Sequence, residues 1–585
     1  MKTKAIIFLL FFIITTSYSQ SSLFEIDNTR YPFSYRGSYW AFLQFDGYSK
    51  PAKALFLHDM SRTGEMELFK FELLKNETPV EANIIQTPVN LHMKSADGNA
   101  NICFQNADIV RVKSENAGMK LSYLKQVNII PINKNQFRIF INSNRLIFCL
   151  IKGSFKITQQ DLENTDKHHN PVINPKNLII TILPDEKGIL EFAFERYVSE
   201  YAPRTYDIKF EDIISTRKDE FNKFYKPISD KAGNTKEVLC AAYLDWASIV
   251  KPLGHFKREA MVMSKTWMNG VWSWDHCFNA IAMSFAHPEI AWDQLMLMFD
   301  NQDELGDLPD AIYVNDLQWA HLKLPMHGWT LMKMMKNSPD FFTTYRLNEI
   351  YPKLEKWTNF WFNYRDDDGN GIVQVNHGND DFDWLPVYDA GFPMEDPQVN
   401  MMLVFQMDAL SDVATKLGKI SESKIWKQRS DELLSKIIKR FWNGEKFLYK
   451  VSGSENYTKE TISILQYTPM LLGKKLPDDI RKKLVESFVK SELMTKNGVL
   501  TESQKSPLFN ADTYTRGSIW SPLNYFIIEG LKECSETKLA DQLTIDFKDV
   551  LKRSGFSERL NPYTGEPWSD PSYTWTSSIF LILNY

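Results

Sequence analysis

Leu190-Glu191-Phe192-Ala193-Phe194-Glu195 puts bulky apolar residues at alternate positions, and from about Glu211 the chain abandons that rhythm for a helical one. A period of two is what a half-buried strand requires, and a period near 3.6 marks an amphipathic helix. Working back from this switch, Phe137-Arg138-Ile139-Phe140-Ile141-Asn142 shows the same alternation. Breaks such as Asp97-Gly98-Asn99 and Asn133-Lys134-Asn135 separate such runs. The stretch from about residue 20 to 210 therefore reads as an antiparallel β-sandwich. Working forward, Glu211 to Tyr225 is a charged helical connector, and a Ser/Asp/Gly/Asn break follows at Ser229 to Asn234. Beyond it, Leu403, Met407, Leu410, Ala414 and Leu417 fall on one helical face, with Gly418 where a C-terminal cap belongs. The expected organisation is a leader at 1–19, a β-sandwich at 20–210, a helical linker at 211–234 and a helical domain at 235–585.

The N-terminus carries its own signal. Lys2 and Lys4 precede an uninterrupted apolar stretch from Ala5 to Thr16, and Ser17-Tyr18-Ser19 offers small residues at the cleavage positions. That is the pattern of a signal peptide, too short to span a bilayer comfortably, so an exported protein, periplasmic or secreted, is expected, with no membrane insertion once the leader is removed. Across 585 residues the net charge of −5 predicts no nucleic-acid or membrane affinity. The five cysteines include no close pair, which disfavours a zinc knuckle and a disulfide framework; one bridge, such as Cys103 to Cys149, remains allowed in an oxidising compartment.

Of the 16 tryptophans only Trp40 precedes position 246, which matters because indole faces stack on the C–H faces of sugar rings. Many accompany polar residues in segments where helix periodicity does not ask for them: Val271-Trp272-Ser273-Trp274-Asp275-His276, Leu308-Pro309-Asp310, Pro325-Met326-His327-Gly328-Trp329, His377-Gly378-Asn379-Asp380-Asp381-Phe382-Asp383-Trp384 and Arg516-Gly517-Ser518-Ile519-Trp520. Each sits at or near an expected helix end.

The order of these segments, with Gly555-Phe556-Ser557-Glu558-Arg559-Leu560-Asn561-Pro562-Tyr563-Thr564-Gly565-Glu566 and the closing Tyr573-Thr574-Trp575-Thr576, resembles the inverting glycosidases with an (α/α)6 barrel. The similarity is to glycoside hydrolase family 63 and the mannosylglycerate hydrolases, and more distantly to family 37 trehalases. It covers roughly residues 235 to 585. The resemblance implies a mainly α fold, an (α/α)6 toroid preceded by the sandwich, acting on an oligosaccharide or glycoside without a cofactor or metal. It makes Asp380 the general acid, with Asp381 the alternative one residue on, and Glu558 the base, with Glu566 the lesser alternative. It also implies that Trp272, Trp274, Asp275, Gln302, His327, Trp329, Asp381, Arg516 and Trp520 hold the sugar, with α-glucosides favoured and α-mannosides second.

Inversion needs one protonated and one ionised carboxyl. Asp381 and Asp383 beside Asp380 are expected to keep it protonated, and Arg559 beside Glu558 to keep that group charged. Asp366-Asp367-Asp368-Gly369-Asn370-Gly371 resembles the start of a calcium loop, but His377 stands where the bidentate Glu belongs, so a structural turn is the expectation. Two other functions share part of this pattern. A polysaccharide lyase of toroid-plus-sandwich architecture would need a Tyr or His base and a positive or amide-lined pocket, and a non-catalytic glycan-binding protein would keep the pocket without the reaction.

Overall fold

The computed structural model describes residues 24–46, 50–62, 66–125, 127–141, 144–161, 164–165, 171–172, 175–197 and 206–585; the leader read at 1–19 lies outside them. Two eight-stranded antiparallel sheets make up the N-terminal part. One runs in the order Phe33–Ser34, Trp40–Asp46, Lys50–Asp59, Glu67–Lys75, Gly118–Tyr123, Pro175–Leu183, Ser154–Asp161, with Thr78–Val80 also paired to Glu67–Lys75. The other runs Asn128–Asn133, Gln136–Ile141, Asn144–Lys152, Ile189–Arg196, Ile109–Glu115, Asn99–Asn106, Leu91–Lys94, Asn83–Gln86. Their inner faces share one core, in which Phe69 of the first sheet stacks on Phe194 of the second with centroids 5.3 Å apart. The alternation holds along Gln136–Ile141, where Phe137, Ile139 and Ile141 are the buried positions.

It fails along Ile189–Arg196, where Glu191 and Glu195 are buried as well. The face that a period of two would leave to water is covered by the chain entering the next helix. Arg111 pairs with Glu191 and donates to the Ile208 carbonyl, the Tyr206 hydroxyl donates to Glu195, and Phe210 and Ile213 pack on Cys103. Cys149 lies in a separate cluster with Ile109 and Ala193; both thiols are free, as are the other three, so the allowed Cys103–Cys149 bridge is absent.

Twelve α-helices follow: α1 Phe210–Ala232, α2 Lys236–Ser248, α3 Asp275–Ser284, α4 Pro288–Phe299, α5 His327–Asn337, α6 Thr344–Tyr364, α7 Pro397–Lys416, α8 Ile420–Phe441, α9 Asp478–Lys490, α10 Ser521–Glu533, α11 Thr537–Ser554 and α12 Thr574–Ile582. A tighter 3-10 segment, Thr468–Lys475, completes the set. Helices α3, α5, α7, the 3-10 segment, α10 and α12 touch in sequence and close back on α3, forming an inner ring; α2, α4, α6, α8, α9 and α11 pack outside it. This is an (α/α)6 toroid, with α1 as a lead-in helix. Helix α7 shows why its sequence pattern understates burial: as an inner helix it is buried on nearly every side, not along one stripe, and only its C-terminal turn before Gly418 (φ +76°) reaches water.

The connections are unequal. Inner-to-outer passages are short, such as Phe285 to His287 and Leu417 to Lys419. Outer-to-inner passages are long and end at the inner helices' N-termini: 249–274, 300–326, 365–396, 442–467, 491–520 and 555–573. Three small sheets lace these passages together, pairing Trp272 with Ala311, Met394 with Val451 and Trp520 with Arg559. The sandwich is bonded to the same end. Tyr243 of α2 donates to the Pro32 carbonyl, Asn269 donates to the Met60 and Arg62 carbonyls, and the buried Lys265 amine donates to Ser34 Oγ and the Ser38 carbonyl. Among the described residues no helix is long and apolar enough to cross a membrane.

Candidate active site

The long passages surround a hollow of about 460 Å3. Its wall is aromatic: Trp272, Trp274, Trp384, Trp520 and Trp575 line it together with Tyr514 and Tyr573. Trp274 and Trp520 both pack edge-on against Trp575, with centroids 5.4 and 5.6 Å apart, so the rings brace one another. Trp384 is the exception: it is 48% exposed and sits at φ +49°, a left-handed conformation costly for a bulky residue. That turn exists because position 378 is glycine. The Trp384 N–H donates to the Gly378 carbonyl at 3.0 Å, and a Cβ at 378 would lie 2.5 Å from the indole ring.

Four carboxyls reach the same wall: Asp275, Asp310, Asp383 and Glu558. Asp275 opens α3 and accepts from Tyr573 Oη at 2.9 Å; burial pushes it up to about 8, the Tyr573 bond opposing. Glu558 follows α11 and is aligned by the pairing of Arg559 with Trp520. Burial pushes it up to about 7, opposed chiefly by a short hydrogen bond from the Tyr514 hydroxyl. Arg559 contributes less than sequence adjacency promises. Its guanidinium donates to the Thr513 and Tyr514 carbonyls and lies over the Tyr514 and Trp568 rings, so desolvation, not a neighbouring cation, governs Glu558. Asp310 is pushed up to about 6 by burial, against the pull of Lys323. Lys323 Nζ stands 3.5 Å from Asp383, 3.9 Å from Asp310 and 2.7 Å from the Asn379 carbonyl that it bonds. Titratable groups crowded in a tryptophan-lined hollow are equipped for proton transfer at a sugar ring.

The family model for the mannosylglycerate hydrolase MGH1-like glycoside hydrolase domain matches residues 268–576, more than half of the chain and every wall residue named above. This chain belongs to that glycoside hydrolase family. A mannosylglycerate hydrolase from Rubrobacter radiotolerans is 20% identical over 403 residues, covering 53% of this chain and 89% of the relative. Mannosylglycerate hydrolase MGH1 of Selaginella moellendorffii is 19% identical over 385 residues, covering 53% and 79%. The fold extends further than the sequence: a bacterial glucoamylase complexed with acarbose superposes with a TM-score of 0.63 at 12% identity, covering 95% of this chain and 93% of that one.

Within this glycoside hydrolase the residues named from sequence divide in two. Trp272, Trp274, Asp275, Trp520 and Glu558 meet on the hollow. Asp380 does not. Its Oδ1 accepts from the Leu322 N–H at 3.1 Å and its Oδ2 from the N–H groups of Asn376 and His377 at 2.8 and 3.0 Å, so it ties the loop down from beneath. Asp381 is deeper, accepting from Gln398 Nε2 and sharing the Tyr388 hydroxyl with Asp396, and burial raises both acids of that pair. Gln302 Nε2 donates to the Gly306 and Lys353 carbonyls. Arg516 forms a two-pronged pair with Asp389. His327 and Trp329 lie in the core, where Gly328 brings α5 so close to α7 that a Cβ would sit 2.4 Å from Gln406 Cα; the His-Gly-Trp segment is a helix-packing device.

The Asp366 to Gly371 segment is a turn whose acids bond their own backbone, Gly371 N–H to Asp366 Oδ2 at 2.9 Å and Asn370 N–H to Asp368 Oδ1 at 3.2 Å. Glu566 accepts from Thr564 at the surface. The sequence gives no sign of Lys323 or Tyr514, and it gives Asp383 only the part of keeping Asp380 protonated.

Proposed function

We propose that this chain is an exported glycosidase that hydrolyses an α-linked glycosidic bond with inversion, with Asp383 donating a proton to the departing oxygen and Glu558 activating the attacking water. One observation carries the reading. Two carboxyls from distant stretches of the chain border a single tryptophan-lined hollow, whereas Asp380, the acid that the resemblance implies, is absent from its wall. A donor must reach the glycosidic oxygen, and a carboxyl whose two oxygens are held by three main-chain donors below the loop cannot do so without unmaking them. Asp383 carries no such main-chain tether: its side chain is 35% exposed, and its ion-pair partner Lys323 also borders the hollow. On the same wall, the Tyr514 hydroxyl donates to the Glu558 carboxylate, as a base that must aim at one water requires. The tryptophans supply stacking faces, and Asp275, kept protonated at neutrality by burial, supplies both a donor and an acceptor for ring hydroxyls. Asp and Trp dominate this wall and one Lys is its only fixed cation, which speaks against a uronate lyase.

Glucosides come first among substrates. Mannosides come second, a place that the relatives named for mannosylglycerate reinforce. The test is to incubate the purified protein with α-linked gluco- and manno-disaccharides and follow the products by proton NMR. First release of the β-anomer is the expected result. First release of the α-anomer overturns inversion, an unsaturated product marks a lyase, and no cleavage of any substrate overturns the hydrolase.

A further inference from the structure

We infer that the hollow admits glycosides uncharged on both sides of the scissile bond, and that Lys323 is committed to the protein's own acids and does not receive a substrate anion. The inference rests on the hydrolase reading and narrows its substrate class. Four carboxyls line the hollow, and a single lysine and no arginine oppose them. An ammonium has three protons to give. Lys323 gives one to the Asn379 carbonyl and stands between two carboxylates, Asp383 at 3.5 Å and Asp310 at 3.9 Å, and its side chain is only 8% exposed. The other basic groups nearby are no more available. Arg559 is held by main-chain carbonyls, Arg516 by Asp389, and His321 is stacked on His377 at 4.3 Å, with burial and then His377 and Lys323 lowering its affinity for a proton.

A substrate carboxylate entering this space only accepts hydrogen bonds, and the wall carboxyls that are ionised only accept as well. Burial has already driven Asp275, Asp310 and Glu558 upward, so the site resists the negative charge it holds before a ligand adds more. A sugar hydroxyl meets no such conflict, because it donates to any of these acids while its ring lies on indole.

The experiment uses matched pairs that differ by one group: α-glucosylglycerol against α-glucosylglycerate, and the mannosyl pair alongside, with the full chain read by turnover and by quenching of the wall tryptophans. The glycerol member of each pair is expected to have kcat/KM and affinity higher by about tenfold or more. Its constants should be insensitive to salt. An acid member that is bound and cleaved as well as its neutral partner overturns the inference and leaves the hydrolase standing. If neither is cleaved, the hydrolase reading falls at these substrates, and the quenching still ranks the pair. A second arm keeps Lys323 itself testable. Lys323→Gln should change KM for acid and neutral members by the same factor while lowering kcat and displacing the pH profile, with Lys323→Arg restoring part of both. A loss of affinity confined to the acid member would make Lys323 an anion receptor and overturn the proposal.

Discussion

The loop from His377 to Trp384 and the space it overhangs hold two groups of acids with opposite surroundings. Below the loop, Asp380, Asp381 and Asp396 are supplied with donors: main-chain N–H groups for Asp380 and Asp396, an amide and a tyrosine hydroxyl for Asp381. Above it, Asp310 Oδ1 has no hydrogen-bond partner, Glu558 has one side-chain donor and Asp383 has one lysine at 3.5 Å. A carboxyl whose lone pairs are fully engaged holds structure together; one left under-supplied keeps capacity for a substrate and a proton. Asp380 and Asp383 stand three positions apart, and they fall on different sides of this line.

Substitution is the most direct way to break the contrast. Glu558→Gln and Asp383→Ala should each lower kcat by about 10²- to 10⁴-fold, measured by initial rates, with thermal unfolding little changed. Asp380→Ala should do the reverse of Asp383→Ala in kind: three main-chain N–H groups, that of Leu322 buried and those of Asn376 and His377 partly so, lose their acceptor, at a cost of about 2 kcal/mol read from denaturant unfolding. A turnover loss confined to Asp380→Ala, with Asp383→Ala fully active, would return the acid to the tethered residue.

Acidity sharpens the upper group further. A base works only when ionised, and burial sets Glu558 at about 7, so kcat/KM should rise with pH through about 7 and be lost as pH falls below it. Tyr514→Phe removes the hydrogen bond that opposes the rise, so this ascending limb should move to higher pH by roughly half a unit to one unit. A descending limb at the same place would make Glu558 the donor.

The smallest expected effect concerns the hinge between the two groups. Gly378→Ala drives a methyl into the Trp384 ring and should raise KM about three- to tenfold through lost stacking, with kcat affected less. An unchanged KM would show that Trp384 touches no substrate.

Much of this was legible in the chain. Trp272, Trp274, Asp275 and Trp520 stand at the start of inner helices or just before them, and Glu558 just after outer helix α11, where the 3.6-residue pattern has no use for such side chains, and all five meet on the hollow. The alternation in Gln136–Ile141 exposed the sandwich for the same reason, since one face there does meet water. What failed was direction. Adjacency to a motif does not say which way a side chain leaves the backbone, so Asp380 and Asp381 turn down while Asp383 turns into the hollow, and His327 and Trp329 enter the core. Lys323 and Tyr514 come from irregular passages, where no period exists for a residue to violate. The buried Glu191 and Glu195 escaped because their cover arrives from the lead-in helix, a tertiary event that a strand pattern does not encode.

The amine of Lys265 has a practical consequence. It belongs to the toroid, yet both of its hydrogen-bond partners, Ser34 and Ser38, belong to the sandwich. Trimming the N-terminal half to obtain a minimal catalyst would strand that amine in an empty socket at the root of the passage leading to Trp272. The sandwich and the toroid are thus expected to melt as one, and a fragment cut to 268–576, which loses Lys265 and leaves Asn269 without the Met60 and Arg62 carbonyls, is expected not to be a portable enzyme.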